Sequence, residues 1–212
     1  MIPLVFATRN EKKLEELRAI LADLPVVPTS LRHFKNLPPV VEEDGKTFEE
    51  NAIKKATVIA RWSRSLALAD DSGLCVDALN GAPGVYSARF AGESQDDSQN
   101  CKKLLQMMEG VPEKDRTATF ICVVAVADLT GKLLGTTRGQ YPGKIAFNEK
   151  GDYGFGYDPV FIDPASGMRF AELLPDQKNK ISHRAQALSK VKPIIQAHLD
   201  AKRNIDKRRN VI

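Results

Sequence analysis

The 212-residue sequence has few cysteines, no long apolar run and no large excess of either charge. Its three cysteines, Cys75, Cys101 and Cys122, are odd in number and widely spaced, without a CxxC pair. This usage argues against a disulfide framework, so we expect a reducing, cytoplasmic setting. No stretch is long enough to span a bilayer, and the apolar run at residues 2–7 is too short for a signal peptide. We therefore expect no membrane contact.

The net charge is small and unevenly placed. Its formal value is +4, and residues 201–212 carry five basic side chains against one acidic one. The rest of the chain is therefore close to neutral, which argues against a nucleic-acid-binding protein. A solvated tail is the simpler interpretation of residues 201–212, and a nucleic-acid contact by this tail is the alternative. The length and the 42% apolar content fit one α/β domain, with or without two lobes.

Strand and helix signals alternate along the first part of the chain. The apolar run at residues 2–7 predicts a buried first strand. Asn10 is a suitable N-cap for a helix over residues 11–24, whose leucines share one face. Thr47 opens the pattern Thr-Phe-Glu-Glu, a capping box that predicts a second helix.

The same alternation continues to the C-terminal part. We predict a helix over residues 95–108, a hairpin of strands at 117–128 and 132–138, a strand at 157–162 and a last helix capped by Ser182. No internal repeat or low-complexity linker interrupts the pattern. It favours an α/β fold with a mixed β-sheet flanked by helices.

The most informative stretch is residues 66–92, LALADDSGLCVDALNGAPGVYSARFAG. We predict a strand at 66–69 that ends in Asp70-Asp71 and is followed by a tight turn at Ser72-Gly73. Two adjacent carboxylates at a strand end need either solvent or a neighbouring positive charge, and a metal ion carrying phosphates is one candidate. Asp71 is better placed than Asp70 to hold a metal or accept a proton from water. A simple Asx turn is the alternative.

Two further segments carry groups suited to metal and phosphate. Glu42, Glu43 and Asp44 form an acidic run in a loop, and Mg²⁺ prefers such hard oxygen ligands while keeping waters and substrate phosphates in its shell. Residues 8–13, TRNEKK, span a strand-to-helix junction, where free N–H groups and the helix dipole favour an anion. The glycines of a P-loop are missing. A solvated charge run and an ordinary capped helix are the respective alternatives.

Two segments of the last third suit a flat nucleobase. Glycines flank Phe155 in GFGYDP at residues 154–159, which exposes the ring for stacking; a tight turn packed on the core is the alternative. Arg184, in Ser182-His183-Arg184, stands in the first turn of a helix, where a cation is unfavourable. That penalty suggests a ligand-facing role, with a surface role as the alternative.

Taken in order, these motifs resemble the inosine triphosphate pyrophosphatase family, whose members hydrolyse non-standard purine nucleoside triphosphates. The strongest matches are ADDSGL with GAPGVYSARFAG, then GFGYDP, then SHRAQAL; TRNEKK and FEENAIKKA also match. The resemblance runs from Val5 to about Leu188. Arg9 and Lys12 depart from it, because many relatives carry glycine there.

The resemblance implies a two-lobed domain over residues 1–200, with a long central mixed sheet and an active-site cleft between the lobes, followed by the basic tail at 201–212. It implies a cytoplasmic homodimer that uses Mg²⁺ to split dITP, ITP or XTP between the α- and β-phosphates. The products would be a monophosphate and pyrophosphate, which clears these nucleotides from the pool. The alternative is a pyrophosphatase of similar fold that acts on pyrimidine or modified-base nucleoside triphosphates.

The resemblance also implies roles for individual residues. Asp71 would accept a proton from the attacking water and bind the metal together with Glu42, with Glu43 as the alternative ligand. Ser72 would bind substrate. The other implied substrate-binding residues are Thr8, Arg9, Asn10, Glu11, Lys12 and Lys13 for the phosphates, Asn51 and Lys55 supporting the triphosphate site, Phe155 for stacking, Gly156, Tyr157 and Asp158 lining the base site, and Lys178, His183 and Arg184 closing the purine pocket.

The chemistry of Arg184 is consistent with its implied role. Inosine and xanthosine carry a 6-keto oxygen, an acceptor, whereas adenine carries a 6-amino donor. Arginine can only donate, so adenine would leave donors facing donors, and unpaired buried polar groups of this kind reject a substrate strongly. Guanine shares the 6-keto oxygen, so its 2-amino group must be rejected separately.

Overall fold

The computed structural model describes residues 1–209, with side chains as far as residue 204. Its strands are β1 Ile2–Phe6, β2 Val26–Ser30, β3 Leu66–Val76, β4 Thr117–Ala127, β5 Leu133–Ile145 and β6 Phe161–Ile162. Its α-helices are α1 Glu11–Ile20, α2 Phe48–Ser63, α3 Asp97–Met107, α4 Pro175–Ile181 and α5 His183–Arg209. The end of the predicted basic tail, residues 210–212, lies outside the described residues, and α5 covers the rest of that tail. None of the helices in the described part combines the length and apolar character needed to cross a bilayer.

The strands form one six-stranded sheet in the order β2-β1-β3-β4-β5-β6. Strand β1 is parallel to both β2 and β3, pairing Ile2 with Val26 and Leu4 with Leu66. Strand β6 is antiparallel to β5. The predicted α/β fold with a mixed sheet is therefore confirmed.

The chain divides into two compact units. Unit 1 consists of Met1–Asp71, Val123–Arg138 and the chain from Ala187 onward, and unit 2 consists of Ser72–Cys122 and Gly139–Gln186. Each unit has its own apolar core. In unit 1, alanines and an isoleucine of α2 pack with residues of β1, β3 and β4, and in unit 2 a cluster of phenylalanines lies at the centre. The cleft expected between two lobes stays a prediction.

The predicted helix starts agree with the structure. The side chain of Asn10 accepts hydrogen bonds from the N–H groups of Lys12 and Lys13, at 3.0 and 3.4 Å. Thr47 accepts from the N–H of Glu50 at 3.1 Å. These side chains satisfy backbone donors that the first turn of a helix leaves without partners. Ser182 does the same at the start of α5, where it accepts from Ala185.

The predicted turn at Ser72-Gly73 is wrong, and so is the Asx-turn alternative. Strand β3 continues through both residues to Val76, so Asp70 and Asp71 lie in the middle of a strand. Consecutive side chains of a strand point to opposite faces. Each aspartate accepts hydrogen bonds from a different lysine, Lys13 or Lys55. These bonds offset the cost of burying two carboxylates, and the backbone has no need to turn toward solvent.

Other boundaries differ by a few residues. Helix α1 ends at Ile20, four residues earlier than predicted, and the N–H of its C-cap Leu21 donates to the carbonyl of Leu17. The second hairpin strand continues to Ile145. The strand predicted at 157–162 is limited to Phe161–Ile162, because Asp158–Val160 forms a 3₁₀ turn.

Candidate active site

In unit 1, each aspartate of β3 is bound by a lysine from a helix. Lys13, from the first turns of α1, donates to both carboxylate oxygens of Asp70, at 2.9 and 3.1 Å. Lys55, from α2, donates to Oδ1 of Asp71 at 3.0 Å. Asn51, one helical turn earlier on α2, donates to the other oxygen of Asp71 at 3.1 Å. Asp71 is thus held on both of its oxygens by α2.

The acidic loop reaches the same place through Glu43. The ammonium of Lys55 also donates to Oε1 of Glu43, at 2.8 Å. Asn51 ties the loop to the helix, since its Oδ1 accepts the N–H of Gly45 at 2.8 Å. A side chain at Gly45 would not fit, because its Cβ would lie 2.6 Å from that oxygen. Sequence reasoning left Glu42 and Glu43 open, and the structure brings Glu43 to Lys55, whereas Glu42 is exposed.

These contacts place two carboxylates, those of Asp71 and Glu43, around one ammonium group. Burial raises the pKa of Asp71, and the charge of Glu43 adds to the rise against the opposing effects of Lys55 and Asn51. Burial alone would lower the pKa of Lys55, but the charges of the nearby carboxylates outweigh it, so the pKa of this lysine is raised. The cluster therefore favours a cation between Asp71 and Glu43.

The predicted phosphate segment at residues 8–13 is mostly occupied with local bonds. The hydroxyl of Thr8 accepts the N–H of Asn10 at 3.1 Å, and Asn10 in turn caps α1. Glu11 accepts the hydroxyl of Ser30 at 2.8 Å. Arg9 and Lys12 are exposed. Lys13 joins the carboxylate cluster, and phosphate binding by the other residues of this segment stays a prediction.

In unit 2, two cations lie against the ring of Phe155. Lys178 Nζ lies 4.6 Å from the ring centroid, and Arg184 Cζ lies 5.1 Å from it. Both basic side chains are buried. Arg184 also donates to the hydroxyl of Ser72, at 3.0 Å. The structure thus brings together four of the predicted substrate-binding residues, three of which were predicted for the base site.

Asp158 organises this group. One oxygen of its carboxylate accepts both the ammonium of Lys178, at 2.6 Å, and the N–H of Phe155, at 2.8 Å. Gly154 has a φ of +79°, and a Cβ there would overlap the carboxylate of Asp158. The glycine predicted to free the backbone is therefore also required by the close approach of this carboxylate.

Two other predicted base-site residues have side chains in the unit 2 core. The ring of His183 stacks on Phe120, with 4.7 Å between the ring centroids. Tyr157 is buried, and its hydroxyl donates to the carbonyl of Ser87 at 2.8 Å. These contacts assign supporting roles to both side chains. Direct contact of either one with substrate stays a prediction.

Sequence reasoning missed two residues, Ser87 and Asn100, that hold the loop at residues 81–92 in place. Ser87 accepts the N–H of Leu74 and donates to the carbonyl of Gly84, which orders the loop at 81–92. Asn100 on α3 bonds the carbonyl of Ala88 and the N–H of Ala91 in the same loop. Three of these four bonds join residues that are 9–13 positions apart, so no local sequence signal marks them. The fourth, from Ser87 to Gly84, is local.

Comparison with known proteins identifies the family. The model of the Ham1 family matches residues 4–194. The dITP/XTP pyrophosphatase of Desulforamulus reducens is 51% identical over 192 residues, which cover 91% of this chain and 94% of that protein. The corresponding protein of Geobacter sulfurreducens is also 51% identical over 192 residues, covering 91% of this chain and 96% of its own.

Solved structures give the same result. A HAM1 protein from Coxiella burnetii superposes with a TM-score of 0.84 at 40% identity, covering 93% of this chain and 100% of that one. A dITP/XTP pyrophosphatase from Mycobacterium abscessus gives a TM-score of 0.72 at 38% identity, covering 91% and 100%. The resemblance inferred from the motifs is therefore confirmed, and the chain belongs to the Ham1 family.

Proposed function

We propose that this chain hydrolyses non-standard purine nucleoside triphosphates, namely dITP, ITP and XTP, to the monophosphate and pyrophosphate. Relatives named dITP/XTP pyrophosphatase, which match nine-tenths of the chain, support this activity. The structural observation that carries the proposal is Asp71, a buried carboxylate held by Asn51 and Lys55 and joined through Lys55 to the acidic loop.

Asp71 is the proposed proton acceptor. Burial raises its pKa, so it is a stronger base than an exposed aspartate and better matched to proton transfer near neutral pH. In the reaction, a water oxygen bonds to a phosphorus of the α–β anhydride, the bond to the bridging oxygen breaks, and pyrophosphate and the monophosphate separate. The proton lost by the water passes to Asp71. Asn51 keeps the carboxylate oriented by its bond to Oδ2.

We propose Mg²⁺ as the metal, with Asp71 and Glu43 as its protein ligands. The residues present fit, because two carboxylates already converge on one positive charge, the Lys55 ammonium, at 3.0 and 2.8 Å. Among the side chains that the structure describes, those of residues 1–204, no group of three or more His, Cys, Asp or Glu is arranged to hold a metal ion. Magnesium needs no such cage, since it keeps waters and substrate phosphates as ligands. When bound, it would neutralise phosphate charge and polarise the anhydride.

The two lysines of unit 1 are the proposed phosphate ligands. Lys13 and Lys55 each pair with carboxylates, and each can donate three hydrogen bonds. A triphosphate supplies negative oxygens like those of the carboxylates, so both ammonium groups can donate hydrogen bonds to it.

The unit 2 group is the proposed base-recognition group. Phe155 offers a ring for stacking, and Arg184 and Lys178 supply donors only. A 6-keto purine provides an acceptor for such donors, and the 6-amino group of adenine does not. Buried donors left unpaired by adenine make ATP a poor substrate.

Product analysis tests the proposal. The protein is incubated with Mg²⁺ and ITP, dITP or XTP, with ATP, GTP and dUTP in parallel. We expect equal amounts of monophosphate and pyrophosphate, with the three non-standard purine nucleotides preferred. Release of orthophosphate alone would contradict the reaction, and a preference for dUTP would support the alternative pyrimidine-directed function.

We also propose a cytoplasmic homodimer. Cys75, Cys101 and Cys122 form no disulfide, which suits a reducing compartment. The homodimer rests on the family resemblance, and light scattering coupled to size exclusion tests it by a mass twice that of one chain.

A further inference from the structure

Helix α3 binds the backbone next to Phe155 at two points. The N–H of Gly156 donates to Oδ2 of Asp97 at 2.7 Å, and the thiol of Cys101 donates to the carbonyl of Gly156 at 3.4 Å. Both backbone polar groups of Gly156 are therefore bound by one helix. The N–H of Phe155 itself donates to Asp158. Two consecutive N–H groups thus donate to two carboxylates, and hydrogen bonds to ionised acceptors are the stronger kind.

The spacing on α3 explains how one helix reaches both groups. Asp97 and Cys101 are four residues apart, so they lie on the same helix face, one turn from each other. Burial raises the pKa of the Cys101 thiol to about 12, with smaller contributions from nearby acids. The thiol therefore stays protonated at neutral pH and acts as the donor to the Gly156 carbonyl.

Asp97 is not required as a cap for its own helix. That role belongs to Asp96, whose carboxylate accepts the N–H of Gln99 at 3.0 Å. The side chain of Asp97 instead reaches 59 residues along the chain to the base loop. On the other side of Gly156, the hydroxyl of Tyr157 is bonded to Ser87. Three consecutive loop residues are thus anchored by three different parts of unit 2.

We propose that Asp97 and Cys101 are positioning residues that fix the peptide planes beside Phe155 and thereby the orientation of its ring. The inference rests on the proposed function, in which this ring stacks on the base. Loss of either contact leaves Phe155 free to sample other orientations, which weakens nucleotide binding. We expect proton transfer to Asp71 to be unchanged, because the contacts of Asp97 and Cys101 with Gly156 lie within unit 2 and Asp71 belongs to unit 1. The expected effect is therefore on KM and base selectivity rather than on kcat.

The experiment compares paired variants of the full chain. KM and kcat for ITP and ATP are measured for Asp97→Ala, Asp97→Asn, Cys101→Ala and Cys101→Ser, together with the calorimetric Kd for IMP. Asp97→Ala is expected to raise KM for ITP and Kd for IMP by about three- to tenfold, less than the full contribution of a charge-assisted hydrogen bond because the contact acts on the base only through Phe155. Asn restores most of the affinity because its amide oxygen accepts the Gly156 N–H. Cys101→Ala gives a rise of about twofold, since a thiol is a weak donor, and Ser reverses it.

Asp96→Ala is the matched control, because it removes the neighbouring carboxylate and the α3 cap but leaves the Gly156 contacts intact. Its KM is expected to equal that of the wild type. Equal effects of Asp96→Ala and Asp97→Ala, or a fall in kcat at constant KM, would overturn the inference, as would unchanged KM and Kd in Asp97→Ala. If Asp97→Ala does not fold, the Cys101→Ala and Cys101→Ser pair decides by the same criteria. A wild-type protein that releases no pyrophosphate from ITP contradicts the proposed function itself, which separates the two failures.

Discussion

The ion pairs of the two units differ in how completely they are shielded from water. In unit 2, Lys178 and Asp158 have side-chain exposures of only 6% and 3%. In unit 1, Lys13 is 20% exposed, and Lys55 is 12% exposed beside a Glu43 that is 31% exposed. Water therefore reaches the unit 1 lysines more readily than the unit 2 pair. The difference indicates that the unit 2 pair is part of the framework, whereas the unit 1 lysines can exchange a carboxylate for a phosphate.

The two groups also differ in what their carboxylates bind. Asp158 accepts a lysine and a backbone N–H of its own loop, so its contacts shape the loop around Phe155. Asp71 accepts only side chains of α2, and its lysine is shared with Glu43 on another loop. Lys55 can therefore give up its bond to one acid without breaking a backbone hydrogen bond. The unit 1 group is thus suited to chemistry and the unit 2 group to recognition.

The largest expected effect comes from Asp71→Asn, which removes the proton acceptor. We expect kcat for ITP to fall by about 10³-fold or more, the usual contribution of a general base together with a lost metal ligand. Pyrophosphate release measures it. Asp44→Asn is the control, since Asp44 lies on the acidic loop but pairs with Lys54 at the surface. Similar losses in both variants would contradict a specific role for Asp71.

The next largest effect is on the free energy of unfolding, which distinguishes Lys178 of unit 2 from Lys55 of unit 1. Lys178→Met leaves Asp158 buried without its cation, and removing one partner of a buried pair costs about 3–5 kcal/mol. Lys55→Met is expected to cost less, because Asp71 keeps its hydrogen bond from Asn51 and the other acid partner, Glu43, is 31% exposed. The free energy of unfolding in urea measures both. For kcat we expect the opposite order, with the larger loss in Lys55→Met. The same ranking in both assays would refute the assignment of chemistry to unit 1 and of a framework role to the Lys178–Asp158 pair.

A smaller effect is expected on base selectivity. Arg184→Lys keeps the charge but loses the bond to Ser72 and the planar donors beside Phe155. We expect the ratio of kcat/KM for ITP over ATP to fall by about 10²-fold, because a lysine ammonium lacks the fixed planar donors that distinguish the 6-keto oxygen from the 6-amino group. Arg61→Lys serves as control, since Arg61 is an exposed residue of α2 that bonds the carbonyl of Thr130. An unchanged ratio in Arg184→Lys would remove this residue from base recognition.

Local signals were sufficient for the starts of α1, α2 and α5, because capping by Asn10, Thr47 and Ser182 depends on residues within one helical turn. They failed at β3, where the Asp-Asp-Ser-Gly pattern is typical of a turn. The strand persists there because Lys13 and Lys55, 57 and 16 residues away, neutralise the two aspartates. A local window does not contain these partners, so the sequence pattern favours the wrong structure.

The candidate site was predictable in its residue types but not in its contacts. The motifs selected Asp71, Phe155 and Arg184, whereas the proposal of Glu43 in place of Glu42 rests on the bond between Glu43 and Lys55. Adjacent acids in a loop are chemically equivalent in the sequence, and only the tertiary structure distinguishes them. Asp97 was missed for a similar reason, since an aspartate at a helix start is expected as a cap.

The division between the two groups is tested most directly by measuring two ligands on two variants. Calorimetry gives the affinity of pyrophosphate in the presence of Mg²⁺ and the affinity of IMP without metal, for Asp71→Asn and for Phe155→Leu. We expect Asp71→Asn to lose pyrophosphate binding and keep IMP affinity. Phe155→Leu is expected to keep pyrophosphate binding and weaken IMP by about tenfold, the usual effect of losing one stacked base. If each variant weakens both ligands equally, or if the pattern is reversed, the assignment of phosphate chemistry to unit 1 and base recognition to unit 2 is contradicted.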